Sequence, residues 1–505
     1  MRRGLLVTGV ACLALASCRG DSKRSDLPLA EQRATAWAVP NADLRGTRAA
    51  GPSPITAATV RGLGRAWSFR FPGRAGFSGI AASTPVVSGD RVIVQDLNSN
   101  VYALAVRTGR LLWRRRYARA SGGPNGLALM GGRVLGNTDT SAFALDERTG
   151  RQLWRTRLTT ARNPITIAPA VADGLVFTST TGQAPGGRGA LVALDAATGR
   201  VRWRFDTIRD PWRFPEARGG GSWQTPTLDG AGNVYWGTAN PYPWGGTPQR
   251  PNGGSFPGPV LFTDSLLVLD ARSGKLRWFD QVTPHDVRDY DFHLPPILAR
   301  AAGRDVVIGA GKAGRVIAWD RATHKRVWET RVGRRRNDEG PLPAQPVSVC
   351  PGLLGGVETP MALSRGRLFV PVVDLCFRLA AVGTKAVEFY RVDYNKGTGR
   401  MVALDAATGR RLWERRLPKA VFGCATVAND VVFTATYDGR IYALAAADGR
   451  TLWSARAHAG VNACPAVAGD QLLVVAGTDQ PFFPAPATAG LEAFRLPAPA
   501  DTERR

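Results

Sequence analysis

The stretch Val101-Tyr-Ala-Leu-Ala-Val-Arg-Thr-Gly-Arg-Leu-Leu-Trp113 decides how the rest of the chain is interpreted. A short apolar run leads through a Thr-Gly turn to a second run that ends on tryptophan, which is the pattern of a β-hairpin. Glycine in the turn is free to take a positive φ, and tryptophan offers a broad apolar face with one hydrogen-bond donor. The stretch therefore predicts two strands, the second of which ends on a packing aromatic residue.

Six further stretches repeat this pattern with the same internal spacing. Their apolar runs and tryptophans are Phe143–Asp146 with Trp154, Val192–Asp195 with Trp203, Val268–Asp270 with Trp278, Ile317–Asp320 with Trp328, Val402–Asp405 with Trp413, and Tyr442–Ala445 with Trp453. No helical period lies between the copies, which excludes a βαβ fold. Four of the six intervals between these tryptophans are 40 to 50 residues, the length of one four-stranded propeller blade. The other two intervals are 75 and 85 residues, which predicts one blade plus an inserted loop in each.

The two ends of the repeat region carry incomplete copies. Leu63–Trp67 precedes the first full copy, and Gly490–Phe494 follows the last one without a turn or tryptophan of its own. Pairing these ends would give an eighth blade and close the ring, which removes exposed sheet edges. The sequence thus predicts an all-β fold, an eight-bladed β-propeller over residues 55–497, with a disordered tail at 498–505.

The N-terminus is typical of an exported chain. Arg2 and Arg3 precede an apolar run, 5–16, that is too short to span a bilayer as a helix. Leu15-Ala16-Ser17-Cys18 resembles a bacterial lipobox, which implies a signal peptide over 1–18 and a lipid on Cys18; the alternative is an ordinary signal peptide with an incidental cysteine. The polar, Arg-rich residues 19–54 predict a flexible tether. We therefore expect an extracytoplasmic protein anchored to the membrane by lipid on Cys18.

Four cysteines remain beyond the N-terminal segment, and an even number in an exported chain permits two disulfides. Their order suggests Cys350–Cys376 and Cys424–Cys464, although spacing alone does not fix the connectivity.

The chain is strongly basic, with 66 Lys and Arg against 40 Asp and Glu and a net charge of +26. Such a charge favours binding to anionic lipid or to an envelope polymer. The alternative, which we favour, is a compositional bias, because arginine far outnumbers lysine and basic residues occur in every repeat. No basic helix or RNA-binding motif is present, so we expect no nucleic-acid partner.

The repeat resembles the tryptophan-docking motif of quinoprotein dehydrogenases, eight-bladed propellers that bind pyrroloquinoline quinone (PQQ) on their axis. The same motif serves non-enzymatic propellers, so it indicates the fold more strongly than the function. The two insertions resemble the active-site half of quinoprotein alcohol dehydrogenases more specifically. The stretches that carry this likeness are Gly219–Pro226, Val234–Trp244, Thr263–Leu266, Thr283–Asp291, Gly311–Asp320, Cys350–Pro360 and Phe369–Cys376.

This resemblance implies a role for four residues. Trp223 would be the flat surface on which the quinone stacks, and Asn240 would ligate calcium, a cation that prefers oxygen ligands. Asp289 would be the general base that takes the alcohol proton, and also a calcium ligand. Lys312 would hydrogen-bond the quinone oxygens and stabilise charge during hydride transfer. The resemblance thus implies PQQ and calcium as cofactors.

The chain departs from the family pattern at three places. The loop 182–189, where the family has a calcium-binding Glu, contains no carboxylate. The stretch 122–126 lacks both the adjacent cysteine pair and the following Arg that binds a cofactor carboxylate. The Trp that usually precedes the base is Arg288. We therefore expect weakened metal and cofactor binding.

Each site residue also has a structural interpretation. Trp223 could be a core aromatic residue, Asn240 and Lys312 could be turn residues, and Asp289 with Asp291 could be solvated loop charges. His285 and His293 are interpreted as packing residues of the loops.

Two function classes follow, with a weaker third. The first is a monomeric, membrane-anchored oxidoreductase that oxidises a small alcohol or sugar by hydride transfer to PQQ. It would need a separate electron acceptor, because the chain has no CxxCH haem motif. The second is a non-catalytic propeller scaffold that binds proteins or envelope polymers, and the third is a small-ligand sensor or carrier.

Overall fold

In a computed structural model of the chain, the described residues are 37–72, 79–182, 187–209, 217–253, 256, 258–383, 396–477 and 489–498. They form eight four-stranded antiparallel sheets and two small two-stranded sheets. The predicted eight-bladed β-propeller is therefore confirmed. A short 3-10 helix, Val60–Gly62, leads into the first strand. Among the described residues, no helix is long and apolar enough to cross a membrane.

Each blade is one of the four-stranded sheets, and the first strands of neighbouring blades contact each other around the axis. From the axis outward, blade 1 is β2 (Val86–Ser88), β3 (Arg91–Gln95), β4 (Val101–Ala105) and β5 (Leu111–Arg115); blade 2 is β6 (Leu127–Met130), β7 (Arg133–Asn137), β8 (Ser141–Asp146) and β9 (Gln152–Arg157); blade 3 is β10 (Ala170–Ala172), β11 (Leu175–Thr180), β12 (Ala190–Asp195) and β13 (Val201–Asp206); and blade 4 is β15 (Thr227–Leu228), β16 (Asn233–Gly237), β18 (Ser265–Asp270) and β19 (Leu276–Gln281).

The remaining blades follow the same order, except that the last one joins the two ends of the repeat region. Blade 5 is β20 (Ile297–Ala301), β21 (Arg304–Ala310), β22 (Arg315–Asp320) and β23 (Arg326–Arg331); blade 6 is β25 (Ala362–Ser364), β26 (Arg367–Asp374), β28 (Thr398–Asp405) and β29 (Arg411–Leu417); blade 7 is β30 (Thr426–Ala428), β31 (Val431–Ala435), β32 (Arg440–Ala445) and β33 (Thr451–Arg456); and blade 8 is β34 (Ala466–Ala468), β35 (Gln471–Ala476), β36 (Gly490–Arg495) and β1 (Gly64–Arg70).

The ring closes where β1 pairs antiparallel with β36, so that Gly64 faces Arg495 and Arg70 faces Gly490. Blade 8 is thus the composite blade that the incomplete end copies predict. The two inserted segments carry the small sheets. β14 (Arg218–Gly219) pairs with β17 (Pro241–Tyr242) around the start of blade 4, and β24 (Val347–Val349) pairs with β27 (Phe377–Leu379) around the start of blade 6.

The repeated tryptophans join neighbouring blades. Trp113 of blade 1 donates its indole N–H to the carbonyl oxygen of Glu147 at 3.0 Å, and its ring lies against Gly150, where an added Cβ would come within 2.5 Å. The equivalent indole bond to the next blade recurs at Trp67, Trp154, Trp203, Trp328, Trp413 and Trp453. The junction from blade 4 to blade 5 differs, because Trp278 stacks on His324 with ring centroids 4.7 Å apart.

The hydrophobic core is divided among the spaces between blades. Separate clusters of buried aliphatic residues lie between blades 1 and 2, 2 and 3, 3 and 4, and so on around the ring. Since each cluster needs both of its neighbours, a blade cannot bury its apolar faces alone.

The segment 37–54, which the sequence predicts as part of a flexible tether, packs against the propeller instead. Trp37 is buried and pairs with Val87 of blade 1, and further backbone hydrogen bonds join the segment to blades 2, 4, 5, 6 and 7. Arg48 is fully buried and donates to the carbonyl oxygens of Ala425, Pro40 and Pro465. The tether prediction is therefore wrong from residue 37 onward, because scattered hydrophobic and polar anchors bind the segment to many blades. Residues 19–36 and the signal peptide lie outside the described part.

Candidate active site

A funnel of about 720 Å³ lies at the axis, where the two insertions meet loops from the other blades. Pro40 and Asn41 of the segment 37–54, called the axial segment below, contribute to its lining, together with the short loops that precede the first strand of several blades. The volume is that of an ordinary small-molecule site. The segment that the sequence treats as a tether thus forms part of the funnel wall.

Both predicted disulfides are present. Cys350–Cys376 ties the two arms of the second insertion together. Cys424–Cys464 joins the loops before blades 7 and 8, and both of its cysteines line the funnel. This bridge therefore fixes the funnel wall next to the blade that closes the ring.

Lys312 and two aspartates form the charged centre of the funnel. The Lys312 ammonium donates a hydrogen bond of 2.7 Å to Asp289 Oδ2 and lies 2.6 Å from Asp291 Oδ2. Lys312 follows β21, whereas the two aspartates lie in the loop before blade 5, where Asp289 takes a positive φ of 62°. All three line the funnel although they are at most 6% exposed. The two aspartates are thus not the solvated loop charges of the alternative interpretation.

Burial decides the electrostatics of this centre. Removal from water raises the pKa of Asp289 well above its ordinary range; Lys312 opposes this shift, and the negative charge of Asp291 adds to it. For Lys312 burial works in the opposite direction, but the carboxylates of Asp289 and Asp291 prevail and hold its pKa well above the ordinary value. Lys312 is therefore a charged ammonium at neutral pH.

Trp223 lies beside this centre and is half-buried. The Lys312 ammonium lies 5.7 Å from the centroid of its ring, within the range of a cation–π contact. His293 meets the same ring edge-on at 6.4 Å. The funnel consequently offers one flat aromatic surface with an ammonium above it.

Asn240 lies deeper than the funnel wall and is fully buried. Its backbone N–H donates to Asp291 Oδ1 at 2.7 Å, which connects it directly to the charged centre. The structure thus brings Trp223, Asp289 and Lys312 into one funnel, with Asn240 immediately behind it.

Two further aspartates surround the same centre. Asp264 is fully buried, and neither of its carboxylate oxygens has a hydrogen-bond partner among the described residues. Burial, and then the negative charges of Asp286, Asp291 and Asp289, raise the pKa of Asp264 well above its ordinary value. Burial also raises the pKa of Asp286 to about 6, although Asp286 accepts backbone N–H bonds from Arg288 and Tyr290. The centre therefore contains more buried carboxyl groups than Lys312 alone can neutralise.

Glu358 and His293 form a second polar pair in the funnel wall. Glu358 Oε2 lies 3.7 Å from His293 Nε2, and Glu358 Oε1 has no hydrogen-bond partner among the described residues. Burial raises the pKa of Glu358 to about 8 and lowers that of His293 to about 4. At neutral pH the pair is thus mainly a neutral acid facing a neutral imidazole, and His293 is a funnel residue rather than a packing residue of its loop.

Sequence reasoning did not single out three of these residues. Asp264 and Glu358 lie in stretches that carry the family resemblance, but no local pattern marks either as buried near Lys312. Asp286 likewise looks like an ordinary loop charge. The close spacing of Asp289 and Asp291 in the sequence is the one signal that could have placed a second carboxylate at the centre. His285 lies elsewhere, where its ring contacts the carbonyl oxygen of Asn252.

The departures from the family pattern have visible consequences. Gly122 and Gly123 line the funnel where the resemblance implies a cysteine pair, and no arginine is among the described lining residues. Arg288 points away from the centre and donates to the carbonyl oxygens of Asn337, Glu339 and Gly340. Residues 183–186 of the loop without a carboxylate lie outside the described residues.

Comparison with known proteins places this geometry in a family. The family model described as "Outer membrane protein assembly factor BamB" matches residues 64–136, 97–337 and 381–492. The quinohemoprotein alcohol dehydrogenase of Comamonas testosteroni is 30% identical over 509 residues, covering 85% of this chain and 70% of that protein. A polyvinylalcohol dehydrogenase of Pseudomonas sp. is 26% identical, and the match covers 72% of this chain and 58% of that one. The crystal structure of the Comamonas enzyme superposes with a TM-score of 0.77 at 24% identity, covering 94% of this chain and 83% of that one.

Proposed function

The chain belongs to the family of quinoprotein alcohol dehydrogenase propellers, and we propose that it is an exported oxidoreductase that oxidises an alcohol or a sugar by hydride transfer to PQQ. The observation that supports this most directly is the shared position of Trp223, Asp289 and Lys312 in one funnel. A flat aromatic surface, a carboxyl group and a charged ammonium are the groups that such a reaction requires.

The residues of the funnel fit a planar quinone. Trp223 offers the aromatic face, and Lys312 lies where it can donate to an oxygen on the edge of a stacked ring. The quinone, when bound, supplies a two-electron acceptor for the hydride. The lack of an arginine in the described lining lowers the affinity that we expect for a cofactor carrying carboxylates.

Asp289 is the proposed base. Its carboxylate takes the proton of the substrate hydroxyl, and burial raises its pKa, which makes the carboxylate a stronger base. Lys312 orients Asp289 through the 2.7 Å hydrogen bond and supplies a fixed positive charge. Exclusion of water from both side chains strengthens these interactions.

The surrounding oxygen atoms fit a hard divalent cation such as calcium. As they stand, no three acidic, histidine or cysteine side chains among the described residues are gathered closely enough to hold a metal. Asp264, however, is a buried carboxyl without a hydrogen-bond partner in the described part, close to the proposed ligands Asn240 and Asp289. We propose that these residues hold calcium, which would neutralise the excess of carboxylates.

Export and lipid anchoring form part of the proposal. The two disulfides support an oxidising compartment outside the cytoplasm. Cys18 would carry the lipid, and electrons would leave through a separate acceptor. Cys18→Ala should release the protein from membranes into the soluble fraction of the producing cell; continued membrane association would reject the lipid anchor without affecting the proposal for the funnel.

Dye reduction tests the proposed activity. The purified protein is incubated with PQQ and calcium, and reduction of an artificial electron acceptor is followed with a panel of alcohols and aldoses. We expect reduction with at least one substrate, dependent on both PQQ and calcium. Absence of reduction with the whole panel, together with an unchanged melting temperature on adding PQQ and calcium, would reject the enzyme.

A non-catalytic scaffold is the second candidate. It is favoured by the glycines at 122 and 123 and by the missing arginine in the described lining, since both remove groups that the family resemblance implies. A scaffold would bind a protein or an envelope polymer whether or not PQQ is present. Copurification of one partner with a protein that lacks quinone binding would favour this candidate.

A further inference from the structure

The charged side chains of the funnel are confined to one side of it. Among the described lining residues, the acidic, basic and histidine side chains are Asp289, Asp291, His293, Lys312 and Glu358, which all belong to the loops of blade 5 or to the loop before blade 6. The described lining that comes from the axial segment and from blades 1 to 4, 7 and 8 contains no charged side chain. Although the chain carries a net charge of +26, most of the described funnel wall is thus uncharged.

Four polar side chains of this uncharged wall have no hydrogen-bond partner, and they are called the wall groups here. Thr84 precedes the first strand of blade 1, Thr181 follows β11 of blade 3, Gln224 precedes the first strand of blade 4, and Asn462 precedes that of blade 8. None of the four makes a side-chain hydrogen bond to another described residue, and their side-chain polar atoms are not fully buried. Since blades 4 and 8 are opposite each other in a ring of eight, Gln224 and Asn462 reach the funnel from opposite sides.

Other polar side chains of the same wall hold their loops in place. The Asn125 amide donates to the carbonyl oxygen of Asp96 at 2.8 Å, and the Thr225 hydroxyl donates to that of Ala168 at 2.9 Å. The wall groups make no such bonds within the described part, so their amides and hydroxyls are free to bind a ligand. A ligand that fills the funnel displaces water from them and must offer hydrogen bonds in return, because an amide or hydroxyl left unpaired in a closed site costs free energy.

We propose that the substrate of the funnel is an uncharged, polyhydroxylated alcohol, such as a neutral sugar or a sugar alcohol. One hydroxyl lies at Asp289 and Lys312, and others hydrogen-bond the wall groups. Hydroxyl groups both donate and accept, so they satisfy amide and hydroxyl side chains alike. Half-buried Tyr242 and Trp244 of the first insertion supply apolar surface for the carbon skeleton. The proposal rests on the proposed function in taking the funnel as the substrate site, and it deepens that function by naming the substrate class.

The same wall discriminates against two other kinds of alcohol. A simple alkanol of equal length leaves the wall groups unpaired, and a site built to hydrogen-bond its ligand rejects an analogue that lacks the matching hydroxyls. A sugar acid brings a carboxylate into a funnel whose described lining already contains Asp289 and Asp291. Lys312, the one basic side chain of that described lining, is paired with both of them, so a further carboxylate would be desolvated without a countercharge.

Ligand binding tests the proposal without turnover. Binding to the purified protein is measured by ligand-observed NMR, with neither PQQ nor an electron acceptor added. Sorbitol, n-hexanol and gluconate have the same number of carbon atoms but differ in their hydroxyl groups and in charge. We expect sorbitol to bind saturably, with a Kd about tenfold or more below those of n-hexanol and gluconate, because only sorbitol pairs the wall groups without adding charge.

Asn462→Leu and Asn98→Leu form a matched pair of variants that locates the binding. Both asparagines are half-buried and lack a side-chain hydrogen bond to any described residue, but of the two only Asn462 lines the funnel. Asn462→Leu should weaken sorbitol binding by about fivefold or more and leave n-hexanol binding within about twofold, because it removes one hydrogen bond to the ligand. Asn98→Leu should change neither affinity. Thr84→Val, which keeps the shape of the side chain, replaces Asn462→Leu should the latter fold poorly.

Three outcomes would overturn the proposal. The first is absence of sorbitol binding to the parent, and the second is binding of n-hexanol or gluconate as tight as that of sorbitol. The third is an equal effect of the funnel variant and of Asn98→Leu on sorbitol binding. Sorbitol binding without any dye reduction would reject the proposed oxidoreductase and retain the funnel as a polyol site. Dye reduction with simple alkanols but no sorbitol binding would retain the oxidoreductase and reject the polyol as its substrate.

Discussion

The ammonium of Lys312 hydrogen-bonds the carboxylate of Asp289 at 2.7 Å, and both side chains are nearly excluded from water. These residues are 23 positions apart, with strands β20 and β21 of blade 5 between them, and they share one chamber with Trp223, which precedes the first strand of blade 4. This pair is the centre of the proposed reaction.

Asp289→Asn removes the proposed base while keeping the size of the side chain. We expect the rate of dye reduction to fall by roughly 10²–10⁴-fold, because general-base catalysis contributes about that much. The melting temperature should stay near that of the parent, since a buried charge is removed together with one ion-pair contact. Asp305→Asn, at an exposed site, serves as the control. Equal loss of activity and stability would assign Asp289 a structural role.

Arg48→Met tests the axial segment. The guanidinium donates to three backbone carbonyls, to Asn41 and to Thr426, and lies 5.6 Å from the Trp37 ring. Replacing it leaves these acceptors buried, which should lower the free energy of unfolding by about 3–5 kcal/mol. Arg45→Met, on the same segment but exposed, should cost about 0.5 kcal/mol or less. Denaturant titrations measure both losses. An equal loss of the free energy of unfolding in the two variants would contradict the packing of residues 37–54 against the blades.

Gly150→Ala tests the contact between tryptophan and the next blade. The added Cβ would lie 2.5 Å from Trp113, so the ring or the turn must move. Gly132 has nearly the same positive φ, 73° against 72°, but its added Cβ meets nothing within 4 Å. Both variants carry the backbone cost of about 1 kcal/mol, and Gly150→Ala should lose about 2 kcal/mol more through overpacking. Thermal unfolding measures both variants. Equal melting temperatures for Gly150→Ala and Gly132→Ala would mean that the contact with Trp113 does not stabilise the turn at Gly150.

Glu358→Gln tests the buried acid through its pH dependence. Burial raises the pKa of Glu358 from 4.5 to about 8. Between these values the unfolded chain has lost the proton and the folded chain keeps it, so this group lowers the free energy of unfolding as the pH rises. The variant should therefore gain roughly 2–5 kcal/mol over the parent near pH 8 and converge with it near pH 4.5. For the exposed control Glu339→Gln, the free energy of unfolding should change with pH as it does in the parent. A difference between Glu358→Gln and the parent that stays the same at every pH would contradict the raised pKa of Glu358.

The fold could be predicted because each hairpin repeat indicates one blade. The two long intervals between repeats indicate where the two insertions lie. Even the composite blade follows from the incomplete copies at 63–67 and 490–494, since a ring needs both. The axial segment could not be predicted, because its contacts with the blades follow no period. A polar, Arg-rich stretch looks like a tether when Arg48 is in fact fully buried.

The candidate site could be predicted as far as the family resemblance reached. Trp223, Asp289 and Lys312 come together as expected, but their roles remain proposals. Glu358 and Asp264 were missed because their burial and their proximity to Lys312 depend on how the loops of blades 4, 5 and 6 pack together, which no local pattern encodes.

Calorimetric titration of PQQ into the calcium-loaded protein tests the central claim most directly, because it measures cofactor binding without needing a substrate. We predict saturable binding of PQQ to one site of the parent. The affinity should be about tenfold or more weaker in Trp223→Ala, because stacking on an aromatic side chain contributes about 1–3 kcal/mol. Trp223→Phe should restore most of the affinity. Absence of binding to the parent, or identical affinity for the parent and Trp223→Ala, would contradict the account.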